Sequence, residues 1–319
     1  MTEWLKSPAY CGMNPLLYGR RVVKEMNLVA PPVNELDVAD FLGYEVKKIK
    51  KSDTENFPGV WDSLKTACAH LFRDKNLILI RDDMTLGRDR QGVFHEIGHD
   101  QIPSHRGLNY SCNESALTPI RHKLVEKEAF LCGNEIMMPV EWISQDILDL
   151  DISFRSISKI ANRYQASFEA TAIRYALTHP GICAIILVES NVNKSKQVDS
   201  FCGCHTHQLT LPVTCRETKP KEAYPFPLVV KYSVKSKAFV DSIRPGMGIR
   251  ENNLLFHIWN SDKDFRGELP SEAFRMRKRT AYQAEIKILK NPTRMFILLW
   301  QNHFQRRLKY EYGNIITES

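Results

Sequence analysis

The sequence predicts an α+β protein of more than one part, and three observations carry that prediction. Two helical segments, one carrying residues 95–99 and a second over 126–139, are set with metal-capable side chains. A pair of amphipathic helical segments follows between 157 and 176. Beyond residue 181 the chain turns to short apolar runs of strand character.

Composition bounds the function. At 319 residues the chain is long enough for two domains, and 43% hydrophobic with 25% charged residues is ordinary for a globular protein. No run approaches the ~20 apolar residues of a membrane span. The start, Met1-Thr2-Glu3-Trp4-Leu5-Lys6, lacks the basic-then-apolar order of a secretory signal, so a cytoplasmic protein with no membrane partner is expected. Eight scattered cysteines read as reduced thiols. The net charge of +7 is dispersed over Lys47, Lys48, Lys50, Lys51, Lys219, Lys221, Arg306, Arg307 and Lys309. Without a single basic stripe, direct nucleic-acid binding is the less favoured partner.

The first helix is the most informative. His95-Glu96-Ile97-Gly98-His99 places two histidines four apart, so that both imidazoles share one helix face and can bind one metal ion. Glu96 then sits beside the metal and can act as general base toward a water that the metal acidifies, as in metalloproteases. A catalytic zinc takes three protein ligands, the third often a Glu from a second helix. Residues 126–139 read as that helix, with Ala129, Leu131, Cys132 and Ile136 as an inward stripe and Pro139 as its stop. Glu126 projects from the side of Ala129, whereas Glu128, two residues on, faces elsewhere and is the competing third ligand.

His95–His99 followed by Glu126-Lys127-Glu128-Ala129-Phe130 and the run ending Met137-Met138-Pro139 resembles the ImmA/IrrE family of metallopeptidases, in which HExxH is followed by ExxAN and an apolar run ending in Met-Pro. Three further segments resemble that family: Ala30–Val33 with Asp37–Val46, as opening helix and first strand; Leu77–Ile80 with Arg88–Phe94, as strand and Arg-rich lead-in; and Ile102-Pro103-Ser104-His105 after the second histidine. The resemblance spans roughly residues 14 to 145. It implies a zincin-like metallopeptidase domain with His95, His99 and Glu126 as Zn2+ ligands and Glu96 as catalytic acid/base. Phe130 stands where the family has Asn, which puts the support of the metal in question. His105 is a candidate oxyanion contact against an ordinary loop histidine, while Tyr110 and His122 read as structural. Sites of two histidines and a carboxylate also accept other divalent ions such as Mn2+.

Downstream, Ile157–Tyr164, a turn at Gln165–Ser167 and Phe168–Ala176 form a helix-turn-helix-like segment. Two packing helices explain it at least as well, since a DNA reader exposes more polar side chains on its second helix. Arg174 matches a family arginine and is held as a substrate contact or a structural ion-pair partner. Thr178-His179-Pro180-Gly181 marks a boundary. Ile182–Val188, Leu228–Val234 and Met295–Trp300 read as strands of a mixed α/β domain, and longer IrrE-type proteins carry a GAF-like sensor domain at this place. The domains expected are thus a metallopeptidase at 1–145, the helical segment at 146–180 and a GAF-like domain at 181–319. Cys202, Cys204, His205, His207 and Cys215 crowd metal-capable groups together, but in no standard finger spacing.

By resemblance, then, the chain is expected to be a zinc-dependent, site-specific endopeptidase that cleaves a helix-turn-helix (XRE-type) repressor and releases a stress, mobile-element or defence response. Two alternatives stand beside it: a non-proteolytic metal-bound regulator that binds a repressor or antitoxin, and a DNA-binding regulator.

Overall fold

A computed structural model describes residues 14–50, 64, 68–106, 119–191, 226–276, 281–290 and 293–301. Tyr110, the cluster at Cys202, Cys204, His205, His207 and Cys215, and the side chain of His122 lie outside the described residues. The described residues fall into two compact units, one drawn from those within 14–146 and 158–171, the other from those within 147–157, 172–191 and 226–301.

The first unit opens with α1 (Pro15–Glu25). Asn14 caps it by accepting the Leu16 N–H at 3.1 Å, and Pro15 stands where no N–H is required. Asn34 starts α2 (Glu35–Phe41) in the same way, accepting from Leu36 at 2.9 Å. Gly43, at φ +84°, then turns the chain into β1 (Glu45–Ile49). The expected helix-then-strand order is present, with α1 placed ahead of it. β2 (Ala69–Phe72) and β3 (Leu77–Arg81) complete a three-stranded sheet of order β1-β3-β2, parallel between β1 and β3 and antiparallel between β2 and β3. Leu77–Ile80 are all buried, which is why this central strand reads as an unbroken apolar run. Among the described residues β2 is an edge strand.

α3 (Leu86–Gln101) carries both histidines, a short α4 (Pro103–Arg106) follows, and α5 (Pro119–Met137) carries Glu126. α5 begins well before the expected residue 126 and ends ahead of Pro139, after which α6 (Val140–Leu148) starts. Ala129, Cys132 and Ile136 are fully buried, while Leu131 is only half-buried. The Arg-rich lead-in explains how α3 is held: the buried Arg90 guanidinium binds the Glu35 carboxylate at 2.6 Å and the Val33 carbonyl. Lys48 reaches Asp89 at 2.7 Å.

Glycines set the spacing of the helices. A Cβ on Gly98 would lie 2.3 Å from the Ala129 carbonyl oxygen, and one on Gly133 would lie 2.3 Å from the Phe94 carbonyl oxygen. α3 and α5 therefore touch backbone to backbone at two points. Gly19 repeats the device between α1 and α5, where a Cβ would meet the Cys132 oxygen at 2.6 Å.

The expected helical pair is α7 (Phe154–Tyr164) and α8 (Phe168–Thr178), joined through Gln165 at φ +50°. Residues 170–176 are all buried. These seven buried residues offer no polar face to a DNA groove, which favours the packing reading.

The second unit is built on a six-stranded antiparallel sheet. Its strands are β4 (Cys183–Ser190), β5 (Leu228–Lys235), β6 (Gly248–Ile249), β7 (Phe265–Pro270), β8 (Ala281–Lys290) and β9 (Thr293–Trp300), in the order β6-β5-β4-β9-β8-β7. The three strands expected from sequence are the adjacent β5, β4 and β9 at its centre. Ile186, Val230 and Ile297 from these strands pack with Leu255 of α9 (Leu254–Ser261) and with Phe274 in one core. Each such burial stabilises by ~1.5–3 kcal/mol. The chain is thus a mixed α/β protein, and among its described residues no helix is long and apolar enough to cross a membrane.

Candidate metal centre

Helix geometry stacks His95 and His99 on one face of α3, and the glycine contacts bring that face against α5 at Glu126. The three side chains converge. His95 Nε2 lies 3.0 Å from Glu126 Oε2, His99 Nε2 lies 3.1 Å from His95 Nε2, and His99 Nε2 lies 3.5 Å from Glu126 Oε1. One ligand atom from each falls within 4.8 Å of the others, the one such group of His, Cys, Asp and Glu among the described residues able to hold a metal ion.

The electrostatics suit that use. Burial lowers His99 to about 4, keeping its imidazole neutral. Burial alone would raise Glu126, but hydrogen bonds from His95 and His99 outweigh it and hold the carboxylate far below its ordinary range. Burial likewise disfavours the His95 cation, and the Glu126 hydrogen bond and charge reverse the sign, so that His95 is raised. A half-buried carboxylate held anionic against two imidazole nitrogens is a donor set for a divalent cation that takes nitrogen and oxygen, zinc foremost. His95 Nδ1 is buried without a hydrogen-bond partner among the described residues.

Glu96 points into the same region without joining the triad. Burial, with Glu126 adding to it, pushes its carboxyl up to about 7 against the opposing His95, Arg73 and Leu71 N–H. The Leu71 contact ties Glu96 to the edge strand β2. A carboxyl near 7 can both take and return a proton close to neutrality.

The C-terminal end of α3 is braced by residues that no motif marks. Arg73 donates to the His99 carbonyl at 2.9 Å, and Arg106 donates to the Asp100 carbonyl at 2.8 Å. Two guanidinium groups thus satisfy carbonyls that the helix end leaves open and complement its dipole. Arg73 lies 26 residues before His99, so only the fold discloses its role.

His105 is 1% exposed, with Nδ1 3.3 Å from His99 Nδ1 and Nε2 2.9 Å from Glu128 Oε2. Glu128, the competing third ligand, thus faces His105, and Glu126 faces the histidine pair. Phe130 is half-buried on α5. Arg174 is 4% exposed on α8, in a segment assigned to the second unit.

Comparison with known proteins agrees with this geometry. The IrrE N-terminal-like domain (Peptidase_M78) matches residues 53–175, a stretch that contains α3, α5, α7 and most of α8. A Mycobacterium tuberculosis transcriptional regulator of known structure is similar in fold, with a TM-score of 0.54 and 12% identity over 94% of this chain and 92% of that one. No curated protein sequence matches. Residues 53–175 therefore match an IrrE N-terminal-like domain, which supports a zincin-like peptidase fold for that part of the chain.

Proposed function

We propose that this protein is a zinc-dependent, site-specific endopeptidase of the cytoplasm whose substrate is a helix-turn-helix (XRE-type) repressor. The observation that carries the reading is the convergence of His95, His99 and Glu126 with Glu96 beside them, at the edge strand β2. In this reading His95, His99 and Glu126 hold the metal, which when bound supplies Lewis acidity toward water and the scissile carbonyl.

Glu96 accepts the proton of the attacking water at its carboxylate and returns it to the leaving amine. The Leu71 N–H orients that carboxylate. β2 pairs with β3 on one side, and its other edge suits an extended substrate segment, which would add as a further strand beside Glu96. Arg174, buried as it is, fits a structural partner better than a substrate contact.

The proposed organisation is a metallopeptidase domain at 1–145, a packing helical segment at 146–180 and a sensor domain of GAF-like type at 181–319. An antiparallel sheet with a concavity of about 380 Å³, lined in part by Arg250, Asn252, Glu272 and Arg275, supports the sensor reading.

The test is incubation of metal-loaded protein, and of a Glu96→Gln variant, with small repressors encoded nearby, followed by mass spectrometry. A discrete cut made only by the intact protein is expected. Tight binding without a cut by either protein overturns the peptidase and favours a regulator that acts by holding its partner.

A further inference from the structure

His105 and Glu128 take no part in the triad, yet both are placed against it. The three contacts run in series: the His99 Nε2 side faces His95 and Glu126, His99 Nδ1 faces His105 Nδ1 at 3.3 Å, and His105 Nε2 faces Glu128 at 2.9 Å. Proton bookkeeping along this line has one solution when His99 binds a metal through Nε2. Its proton must then sit on Nδ1 and be donated to His105 Nδ1. His105 in turn carries its proton on Nε2 and donates it to the Glu128 carboxylate. Every donor meets one acceptor, and the chain ends on an anion at the surface, where the Glu128 side chain is 41% exposed.

We infer that Glu128 and His105 form a two-member relay that fixes the tautomer and ring orientation of His99, and that they are positioning residues for the metal rather than ligands or oxyanion contacts. With both ring nitrogens facing protein partners, His105 has none to offer a substrate. The inference rests on the metal-site reading above. It also explains an asymmetry of the site. Ligating histidines usually place their second nitrogen against a carboxylate, carbonyl or water. His99 has such a support, built from α4 and α5, whereas His95 Nδ1 has none among the described residues. The metal should therefore depend on the His99 arm for its hold. Glu128 from α5 also ties α4 to the helix that supplies Glu126, so ligand and support move as one.

The experiment measures zinc affinity by chelator competition for the full chain and for Glu128→Ala, His105→Ala and the double variant. Circular dichroism and thermal unfolding of the metal-free proteins identify folded variants, and visible spectra of the Co2+ forms report ligand geometry. Glu128→Ala should weaken binding ~10-fold and His105→Ala ~10–100-fold, with a changed Co2+ band in each. The double variant should be no weaker than His105→Ala, because both act through one line. Glu128→Gln, which keeps an acceptor without the charge, should recover part of the loss. Unchanged affinity and spectra in folded Glu128→Ala overturn the relay, as do additive losses in the double variant. Failure of the unaltered protein to bind zinc overturns the metal-site reading itself, so the two failures are distinguishable.

Discussion

Gly98 sits between the two histidines and Glu126, and adding one carbon there tests the whole construction of the centre. In Gly98→Ala the new Cβ would meet the Ala129 oxygen at 2.3 Å, its carbonyl carbon at 3.0 Å and its Cα at 3.1 Å, all backbone atoms that no rotamer change can move. Ordinary contact begins near 3.4 Å, so α3 and α5 must part by about 1.1 Å at this point. Two opposing terms decide the outcome. Replacing a mid-helix glycine by alanine gains ~1 kcal/mol in helix propensity, while overpacking a close contact costs ~1–3 kcal/mol. Net destabilisation of about 1 kcal/mol is expected. The effect on the metal should be larger, because sites of this kind need their ligands placed within ~0.5 Å, and the glycine lies between the two ligand-bearing segments. Zinc affinity should fall at least ~10-fold. Thermal unfolding of the metal-free protein and chelator competition measure the two quantities. A variant stabilised by ~1 kcal/mol with undiminished affinity would show that the helices do not touch here and would refute the reasoning.

Glu126→Ala should abolish stoichiometric zinc, read by metal analysis after dialysis; retained zinc at one per chain would remove Glu126 from the ligand set. Glu35→Ala leaves the buried Arg90 guanidinium uncompensated and should cost about 3 kcal/mol in urea unfolding; a loss under about 0.5 kcal/mol would mean that solvent replaces the carboxylate. Burial lowers His179 from 6.5 to about 4. Because the unfolded chain takes up this proton first, the stability present above pH 6.5 should be lost as pH falls toward 4, by about 3 kcal/mol in all. Denaturant unfolding across that range in the protein and in His179→Asn checks it, and equal pH slopes in the two would remove His179 as the source.

What could be read in advance followed spacing and local chemistry. The i, i+4 histidines are a property of the helix alone, and Glu126 stood three residues before a buried alanine on a second helix. β4 and β9 were legible because strands at the centre of a sheet are apolar almost throughout, and β5 because its alternation opens on the apolar run Leu228-Val229-Val230. β8 was not, although its buried Tyr282, Ala284 and Ile286 alternate with less buried neighbours, because such a pattern is weaker than a continuous run. The two-residue β6 carries too few side chains to signal at all. Phe130 was visible as a departure from the family pattern, but nothing local tied Glu128 to His105, 23 residues away.

By itself, the sequence determined the type of chemistry: two imidazoles and a neighbouring carboxylate on one helix, a further carboxylate on the next, and a mixed α/β chain around them. These depend on helical periodicity and residue type, both of which are local. Only the tertiary structure decided which carboxylate meets the histidines, since that depends on the rotation and closeness of α5 against α3, set by the contacts of Gly98 with Ala129 and of Gly133 with Phe94. It also decided that Arg73, Arg106, His105 and the edge of β2 surround the site, because their placement is a matter of packing between segments distant in the chain.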